Sequence, residues 1–367
     1  MALFAFRNRL LSSVVHLSRK NVDKICERHL TSKQLVYSEF GDPAKVLKCQ
    51  EVTIENLKCQ DVLVRMLAAP INPADINTIQ GTRKYPVKIT LPSIPGNEGV
   101  GIVEDVGHEV ENIRPGDKII FTKSALGTWR NIATFNANYV RVIPDCIGVA
   151  EAAMLTVNPC TAYRMLKDFV SVKECKQVVI QNGGNSAVGQ NVIQFCKEWH
   201  VPNISIVRAR PNINELKKDL QSLGATYVFT EEEIPKTTIF KEKQIEKPVL
   251  ALNCVGGKQL FGIIKHLQHS GKMVTYGGMS KKPVISPTSA FIFKNISFHG
   301  FWMTRWNMRA DARQRDLMLD DITNMILEKK LKPPVHKMVK FDNFKEALNN
   351  TLTSKGFTGC KYVLDFC

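Results

Sequence analysis

Apolar and polar positions alternate in blocks through the second half of the chain. Val178, Val179 and Ile180 form a short apolar run of the kind that fills a buried parallel strand. Small and polar residues follow, from Asn182 through Gly183, Gly184, Asn185, Ser186, Ala187 and Val188 to Gly189. Val192, Ile193, Phe195 and Cys196, with Trp199 one turn on, then recur at helical spacing. A second strand is predicted over 204–207, and 214–223 predicts a helix closed by Gly224. Further strands are predicted near Tyr227 and over 249–252, 272–276 and 296–299. This alternation predicts a parallel sheet with right-handed crossovers.

The pattern between Gln34 and Val142 differs. Short β segments are predicted at 35–37, 62–67, 99–106 and 118–121, punctuated by Gly41-Asp42-Pro43 and Pro115-Gly116-Asp117. A compact β-barrel-like lobe is the expected result. An Ala-rich apolar stretch at 151–169 predicts a helix crossing into the second lobe. From about Arg309, one long helix, a short helix around 344–352 and a final strand at 361–364 are expected to return to the first lobe. The fold class is therefore α/β with two lobes, as a chain of 367 residues also suggests.

Composition narrows the class. No apolar run is long enough for a membrane span, so stable membrane insertion is not expected. Ten cysteines occur singly, without a Cys-x-x-Cys pair, which argues against a zinc ribbon, a redox dithiol or a secreted disulfide framework. A net charge of +16 fits both a solvated lysine-rich surface and the attraction of polyanionic ligands. The first 22 residues hold Arg7, Arg9, Arg19 and Lys20, with no acidic residue before Asp23. Residues 1–30 are accordingly expected to be a mitochondrial transit peptide rather than a secretory signal, the alternative being an ordinary N-terminal arm.

The glycine-rich turn has a specific chemistry in this setting. A helix N-terminus following a strand presents backbone amides and a positive dipole end to a pyrophosphate. After the second strand, an acidic residue about 20 positions beyond the glycines normally accepts from the ribose hydroxyls. Arg208 stands there instead, nineteen residues after Gly189, with Ala209 and Arg210 next. A guanidinium cannot accept a hydrogen bond but pairs bidentately with a phosphate, so the expected cofactor is NADPH. A solvated loop charge is the plain alternative for Arg208.

The two lobes together resemble the medium-chain dehydrogenase/reductase superfamily over residues 33–367, through Gly96-Asn97-Glu98-Gly99-Val100, Pro115-Gly116-Asp117 and the nucleotide lobe. The narrower resemblance is to the mitochondrial 2-enoyl thioester reductases. It is carried by Ile71-Asn72-Pro73-Ala74-Asp75-Ile76-Asn77, Ile79-Gln80-Gly81, Val157-Asn158-Pro159-Cys160-Thr161-Ala162-Tyr163-Arg164, the segment from Ala251 to Gly257, Val274-Thr275-Tyr276-Gly277-Gly278-Met279 and Gly300-Phe301-Trp302. The resemblance implies a GroES-like β-barrel catalytic domain over 31–155, a Rossmann-type doubly wound NADP-binding domain over 156–308, and a C-terminal segment, 309–367, that returns to the catalytic domain.

It also implies site residues. Tyr85 is the implied proton donor, with Thr82, Arg83 and Lys84 between it and Gly81, where many members have a single residue. Asn158 is implied near the nicotinamide and Asn185, Ser186, Ala187 and Val188 at the pyrophosphate. Tyr276, Gly277, Gly278 and Met279, with Phe301, Trp302 and Met303, are implied walls of the nicotinamide pocket, and Lys361 a late basic contact. Plainer readings stand beside these: Asn158 as a helix cap, the aromatics as core, Lys361 as a strand-edge charge. No metal is expected, because Asn72, Asn97 and Val157 stand where zinc-dependent members have Cys, His and Cys.

The expected activity is NADPH-dependent reduction of the 2,3 double bond of trans-2-enoyl thioesters, on acyl carrier protein or CoA, in the mitochondrial matrix during fatty-acid synthesis. A zinc-independent quinone or enone reductase is the enzymatic alternative. A nucleic-acid-binding protein finds no aromatic-basic motif in its favour. Residues 290–299, with Phe291, Ile292, Phe293, Ile296 and Phe298, are β-prone and resemble the last sheet strand through which this superfamily pairs subunits, so a homodimer is expected.

Overall fold

The computed structural model describes residues 30–54, 56–81, 88–171, 177–351 and 360–367. In the first lobe β1 (Thr31–Val36) and β2 (Lys48–Thr53) pair antiparallel. A larger sheet is built on β3 (Asp61–Pro70), with β4 (Val100–Val106), β5 (Lys118–Phe121), β6 (Ile132–Asn136) and β7 (Val140–Val142). β3 is buried along most of its length because it is paired on both edges and packed within the lobe. One edge takes β4 and the other takes β6 against residues 61–65.

The second lobe holds β8 (Val179–Asn182), β9 (Asn203–Val207), β10 (Tyr227–Thr230), β11 (Leu250–Asn253), β12 (Lys272–Thr275) and β13 (Ser297–Gly300). They lie in the order β10-β9-β8-β11-β12-β13, and every pairing is parallel. β8, β9 and β11 are buried at every position, so their apolar residues stand close together in the sequence and the polar ones among them, Gln181, Asn182, Asn203, Ser205 and Asn253, are buried as well. The helix Ile213–Leu223 ends at Gly224, whose φ of 119° is the left-handed cap that glycine takes without a Cβ penalty. Strand order reverses beside β8, so the crevice at its carboxyl end is the place such a sheet offers a ligand.

The chain returns to the first lobe through β14 (His336–Lys340) and β15 (Lys361–Asp365). β15 pairs antiparallel with Ala68, Ala69 and Pro70, completing the β3 edge that β6 leaves open, and β14 lies parallel to β15. One apolar core joins both lobes: Leu67 and Val100 of the first sheet pack in the same cluster as Leu155, Met165, Leu252 and Ile322. Each such side chain contributes about 1.5–3 kcal/mol by leaving water, so the relative placement of the lobes is tied to the core.

Two expectations are corrected. The stretch 151–169 is two helices, Val149–Ala153 and Asn158–Asp168, because Pro159 has no N–H to bond back along a continuous helix and is tolerated only in a first turn. Residues 290–293 are not strand: Thr288–Ile292 is a short helix, begun after Pro287, and Asn295 turns the chain with a φ of 49° before β13. The apolar side chains there reflect a surface. Phe291, Ile292 and Phe293 are 51%, 67% and 75% exposed, beside the edge strand β13.

Candidate active site

A buried polar network lies where the first lobe, the Asn158–Asp168 helix and β15 meet. Asn72 precedes Pro73 at the start of the helix Pro73–Ile79, and its side chain is directed inward rather than closing that helix on its own. Its Nδ2 donates to Glu98 Oε1 at 2.8 Å. Its Oδ1 accepts from Lys361 Nζ and, at 3.2 Å, from Asn158 Nδ2. Glu98 Oε2 accepts from the backbone N–H of Val157 at 2.8 Å and from Thr156 Oγ1 at 3.4 Å. Asp75 accepts from Asn72 N at 2.8 Å and from Asn97 Nδ2 at 2.6 Å.

These groups are shielded from water, and buried charges persist only when paired and hydrogen-bonded. Burial pushes the Asp75 carboxyl up to about 7 against the pull of Asn72, Asn97 and Lys361. Burial also raises Glu98, opposed chiefly by the Lys361 ammonium, and lowers Lys361, opposed by Glu98 and Asp75. Glu98 and Lys361 thus support each other's charged form.

The nucleotide crevice is built on the carboxyl ends of β8, β9, β11 and β12. Ser186 caps the helix Ala187–Glu198 by accepting from Gly189 N at 3.1 Å. The N–H groups of Ala187 and Val188, in the first turn, have no intrahelical acceptor and are free to bind an anion. Gly183 holds a φ of 62°, and a Cβ there would fall 2.5 Å from Cys254 Sγ, so the turn needs glycine. Asn182, Asn253 and Thr275 form a rung across three strands: Asn182 Nδ2 donates to Asn253 Oδ1 at 2.8 Å, and Asn253 Nδ2 to Thr275 Oγ1 at 3.0 Å. The Tyr276 hydroxyl, next to Ser186 and Cys254, is buried without a partner of good hydrogen-bond geometry. An unsatisfied buried hydroxyl beside a helix N-terminus and a glycine turn fits a bound dinucleotide.

Arg208 and Ala209 are exposed at the end of β9, and Arg210 is partly covered. Arg208 faces Glu231, which also lines an open cavity of about 670 Å³ with Lys258, Gln259, Phe261 and Lys282. Tyr276, Gly277, Gly278 and Met279 follow β12, with Tyr276 N and Met279 N bonded to the carbonyls of Asn253 and Cys254. Phe301 and Trp302 follow β13 and are partly buried, while Met303 is buried at the start of the helix Met303–Arg309. Phe301 N donates to Thr275 O, which brings the ends of β12 and β13 together. Asn185 lies in the glycine turn, its carbonyl accepting from Gln190 Nε2. Asn158 and Lys361 converge on Asn72, so neither a helix cap nor an edge charge describes them. Tyr85 lies outside the described residues.

Residues 58–164 match the alcohol dehydrogenase GroES-like domain, and residues 187–318 match the zinc-binding dehydrogenase family. A Xenopus tropicalis protein named mitochondrial enoyl-(acyl-carrier-protein) reductase is 43% identical over 329 residues, covering 88% of this chain and 93% of its own. The chain belongs to the mitochondrial enoyl-(acyl-carrier-protein) reductase family. Among solved structures, an Etr1p complex with NADP and crotonyl-CoA superposes with a TM-score of 0.85 at 33% identity, covering 92% of this chain and 100% of that one. The Candida tropicalis mitochondrial 2-enoyl thioester reductase Etr1p/Etr2p heterodimer does so at 0.84, with the same identity and coverage.

The zinc implied by the name of the second matching family does not fit this member of the reductase family. Asn72, Asn97 and Val157 supply two amides and a hydrocarbon where thiolates and imidazole are required. The Asn72 carbonyl oxygen already accepts from an ammonium and an amide. Among the described residues, Cys59, His108 and Glu109 are the group of His, Cys and acidic side chains close enough to share a metal, and they are exposed beyond the opposite end of β4. Asp75 and Glu98 lie within the motifs that carry the family resemblance, yet local sequence assigns no role to them or to Asn182, Asn253 and Thr275. A carboxylate flanked by glycines and apolar residues, as in Gly96-Asn97-Glu98-Gly99-Val100, is the signal that could have marked Glu98 as buried.

Proposed function

We propose that the protein reduces the 2,3 double bond of trans-2-enoyl thioesters with NADPH, on acyl carrier protein or CoA, as part of mitochondrial fatty-acid synthesis. The observation that carries this reading is the Asn72–Lys361 pair, because it fills with an ammonium and amides the place a Lewis-acid zinc would need. A site without zinc favours an acceptor that is already polarised. The carbonyl of an enoyl thioester draws electron density from the β carbon, so the substrate supplies its own activation.

NADPH, when bound, supplies a hydride for the β carbon. Ala187 and Val188 at the helix N-terminus, with Asn185 and Ser186, hold the pyrophosphate, and Arg208, Ala209 and Arg210 take the ribose 2′-phosphate. Tyr276, Gly277, Gly278 and Met279, with Phe301, Trp302 and Met303, wall the nicotinamide, and Asn158 and Lys361 fix its orientation. The enolate-like thioester then needs a proton at the α carbon. Tyr85 donates it, directly or through a water, since a phenol keeps its proton at neutral pH.

Residues 1–30 act as the transit peptide, and two copies pair as a homodimer through β13. The exposed Phe291, Ile292 and Phe293 beside that edge support pairing, as does the assembly of the related Etr1p with Etr2p. No helix among the described residues is long and apolar enough to cross a membrane. NADPH oxidation should be followed with trans-2-enoyl thioesters of graded chain length on CoA and carrier protein, with a quinone as control. Turnover of the quinone alone would replace this reading with that of a quinone reductase.

A further inference from the structure

Four separate stretches of chain contribute to the network around Asn72, and only one of its members reaches across to the crossing helix through the backbone. Glu98, two residues before the start of β4, is fully buried and uses both carboxylate oxygens. One oxygen holds the Asn72 amide from the start of the helix Pro73–Ile79. The other holds the N–H of Val157, which starts the eleven-residue helix Asn158–Asp168 without a side-chain cap of its own. A carboxylate at that N-terminus complements the positive end of the helix, a favourable placement that the local sequence does not provide.

The consequence reaches two further residues. Asn72 can offer Oδ1 to both Lys361 and Asn158 because Glu98 holds its Nδ2, which fixes the plane of the amide. Reversing that amide would turn Nδ2 toward the ammonium and Oδ1 toward the carboxylate, two repulsive contacts in a dry site. We infer that Glu98 is a positioning residue of the reductase, acting through Asn72 and the start of the crossing helix to set Asn158 and Lys361 at the cofactor. This rests on the NADPH-dependent reading above, in which Asn158 and Lys361 face the nicotinamide. Glu98 itself touches neither cofactor nor substrate in this role; it aligns the groups that do.

The test uses the mature full-length enzyme and the variants Glu98→Gln, Glu98→Asp, Lys361→Met and the double Glu98→Gln/Lys361→Met. Glu98→Gln keeps the shape but removes the charge and turns an amide N–H toward a donor. The KM for NADPH should rise about tenfold, the cost of one charge-assisted hydrogen bond. The KM for crotonyl-CoA should change less than about twofold if the effect stays at the cofactor. Glu98→Asp, which keeps the charge on a shorter arm, should lie between wild type and Glu98→Gln. In NADPH binding followed by nicotinamide fluorescence, the double variant should lose less than the product of the two single losses, because both changes act on one network.

A Glu98→Gln enzyme with wild-type KM and kcat would overturn the inference. So would a lowered melting temperature with an unchanged KM for NADPH, which would make Glu98 a purely structural group. If Glu98→Gln does not fold, Glu98→Asp decides: a wild-type KM for NADPH in that variant rejects the role. Failure of the wild-type enzyme to bind NADPH would remove the underlying functional reading, and is seen before any variant is compared.

Discussion

Lys361 Nζ donates to Asn72 Oδ1 although 289 positions separate the two residues. The final strand therefore returns to the first lobe with its cation already matched to a buried acceptor. Ile71 N donates to Tyr362 O at 2.9 Å, so the backbone next to both residues is locked as well. The contact makes the C-terminal strand part of the site rather than a distant brace.

Asp75 lies beside this pair and gives the fold a pH dependence of definite sign. Burial raises its carboxyl from 3.8 to about 7, so between those values the folded chain binds a proton that the unfolded chain releases. Stability from that proton is fully present below the unfolded value and is lost as pH rises through about 7. Asp75→Asn removes the titration. Melting curves of the two proteins in matched buffers should show wild type losing more stability than Asp75→Asn between about pH 4 and 7. Parallel curves would show that Asp75 does not carry the proton.

In the proposed reading, cofactor choice is made at the end of β9. Arg208 and Arg210 present two guanidinium groups in one short loop, and burial together with Arg208 lowers Arg210 from its ordinary value. Arg208→Ala should weaken NADPH binding about 10- to 100-fold, the worth of a lost charge-assisted contact to phosphate. NADH binding should change by less than about twofold, since NADH lacks the phosphate. Titration with both cofactors checks the ratio, and equal losses would reject the assignment.

The nucleotide lobe was legible because its central strands are buried on both faces, which concentrates apolar residues such as Val178, Val179 and Ile180, and Ile204, Ile206 and Val207, over short stretches of sequence. The break at 154–157 was hidden because helix-compatible residues run through it, and Pro159 was the one local signal of a new helix start. Residues 290–293 were misread because aromatic and β-branched side chains mark a strand and an exposed apolar surface equally well. The roles of Asp75 and Glu98 were not legible for another reason. Glu98 finds its partner amide 26 positions away, and Asn72 finds Asn158 at 86 and Lys361 at 289, so no local spacing encodes the network. The glycine turn was legible because its requirement is local.

Subunit pairing is expected at the β13 edge. Ile292 and Phe293 are more than half exposed there, and an apolar surface next to the open edge of a sheet is stabilised by a second copy. The pair of substitutions Ile292→Asp and Phe293→Asp places two like charges on each side of a two-fold contact. Light scattering at micromolar concentration should report a dimer for the wild type and a monomer for this variant. A wild-type monomer would exclude the interface.

Tyr85 carries the proton step in the proposed reaction. Hydride addition at the β carbon leaves negative charge spread over the α carbon and the thioester oxygen, and turnover requires a proton at the α carbon. A phenol with an ordinary pKa near 10 holds its proton at neutral pH and can deliver it. Phe in its place preserves the ring but removes the donor, and a general acid of this kind is worth about 100-fold or more in rate. Tyr85→Phe should therefore lower kcat on crotonyl-CoA by about that factor, while NADPH affinity stays within about twofold because other groups hold the cofactor. Stopped-flow single turnovers with NADPH prebound separate chemistry from product release. Wild-type single-turnover rates in a folded, NADPH-binding Tyr85→Phe enzyme would take Tyr85 out of the mechanism and pass the proton to Thr82 or to solvent.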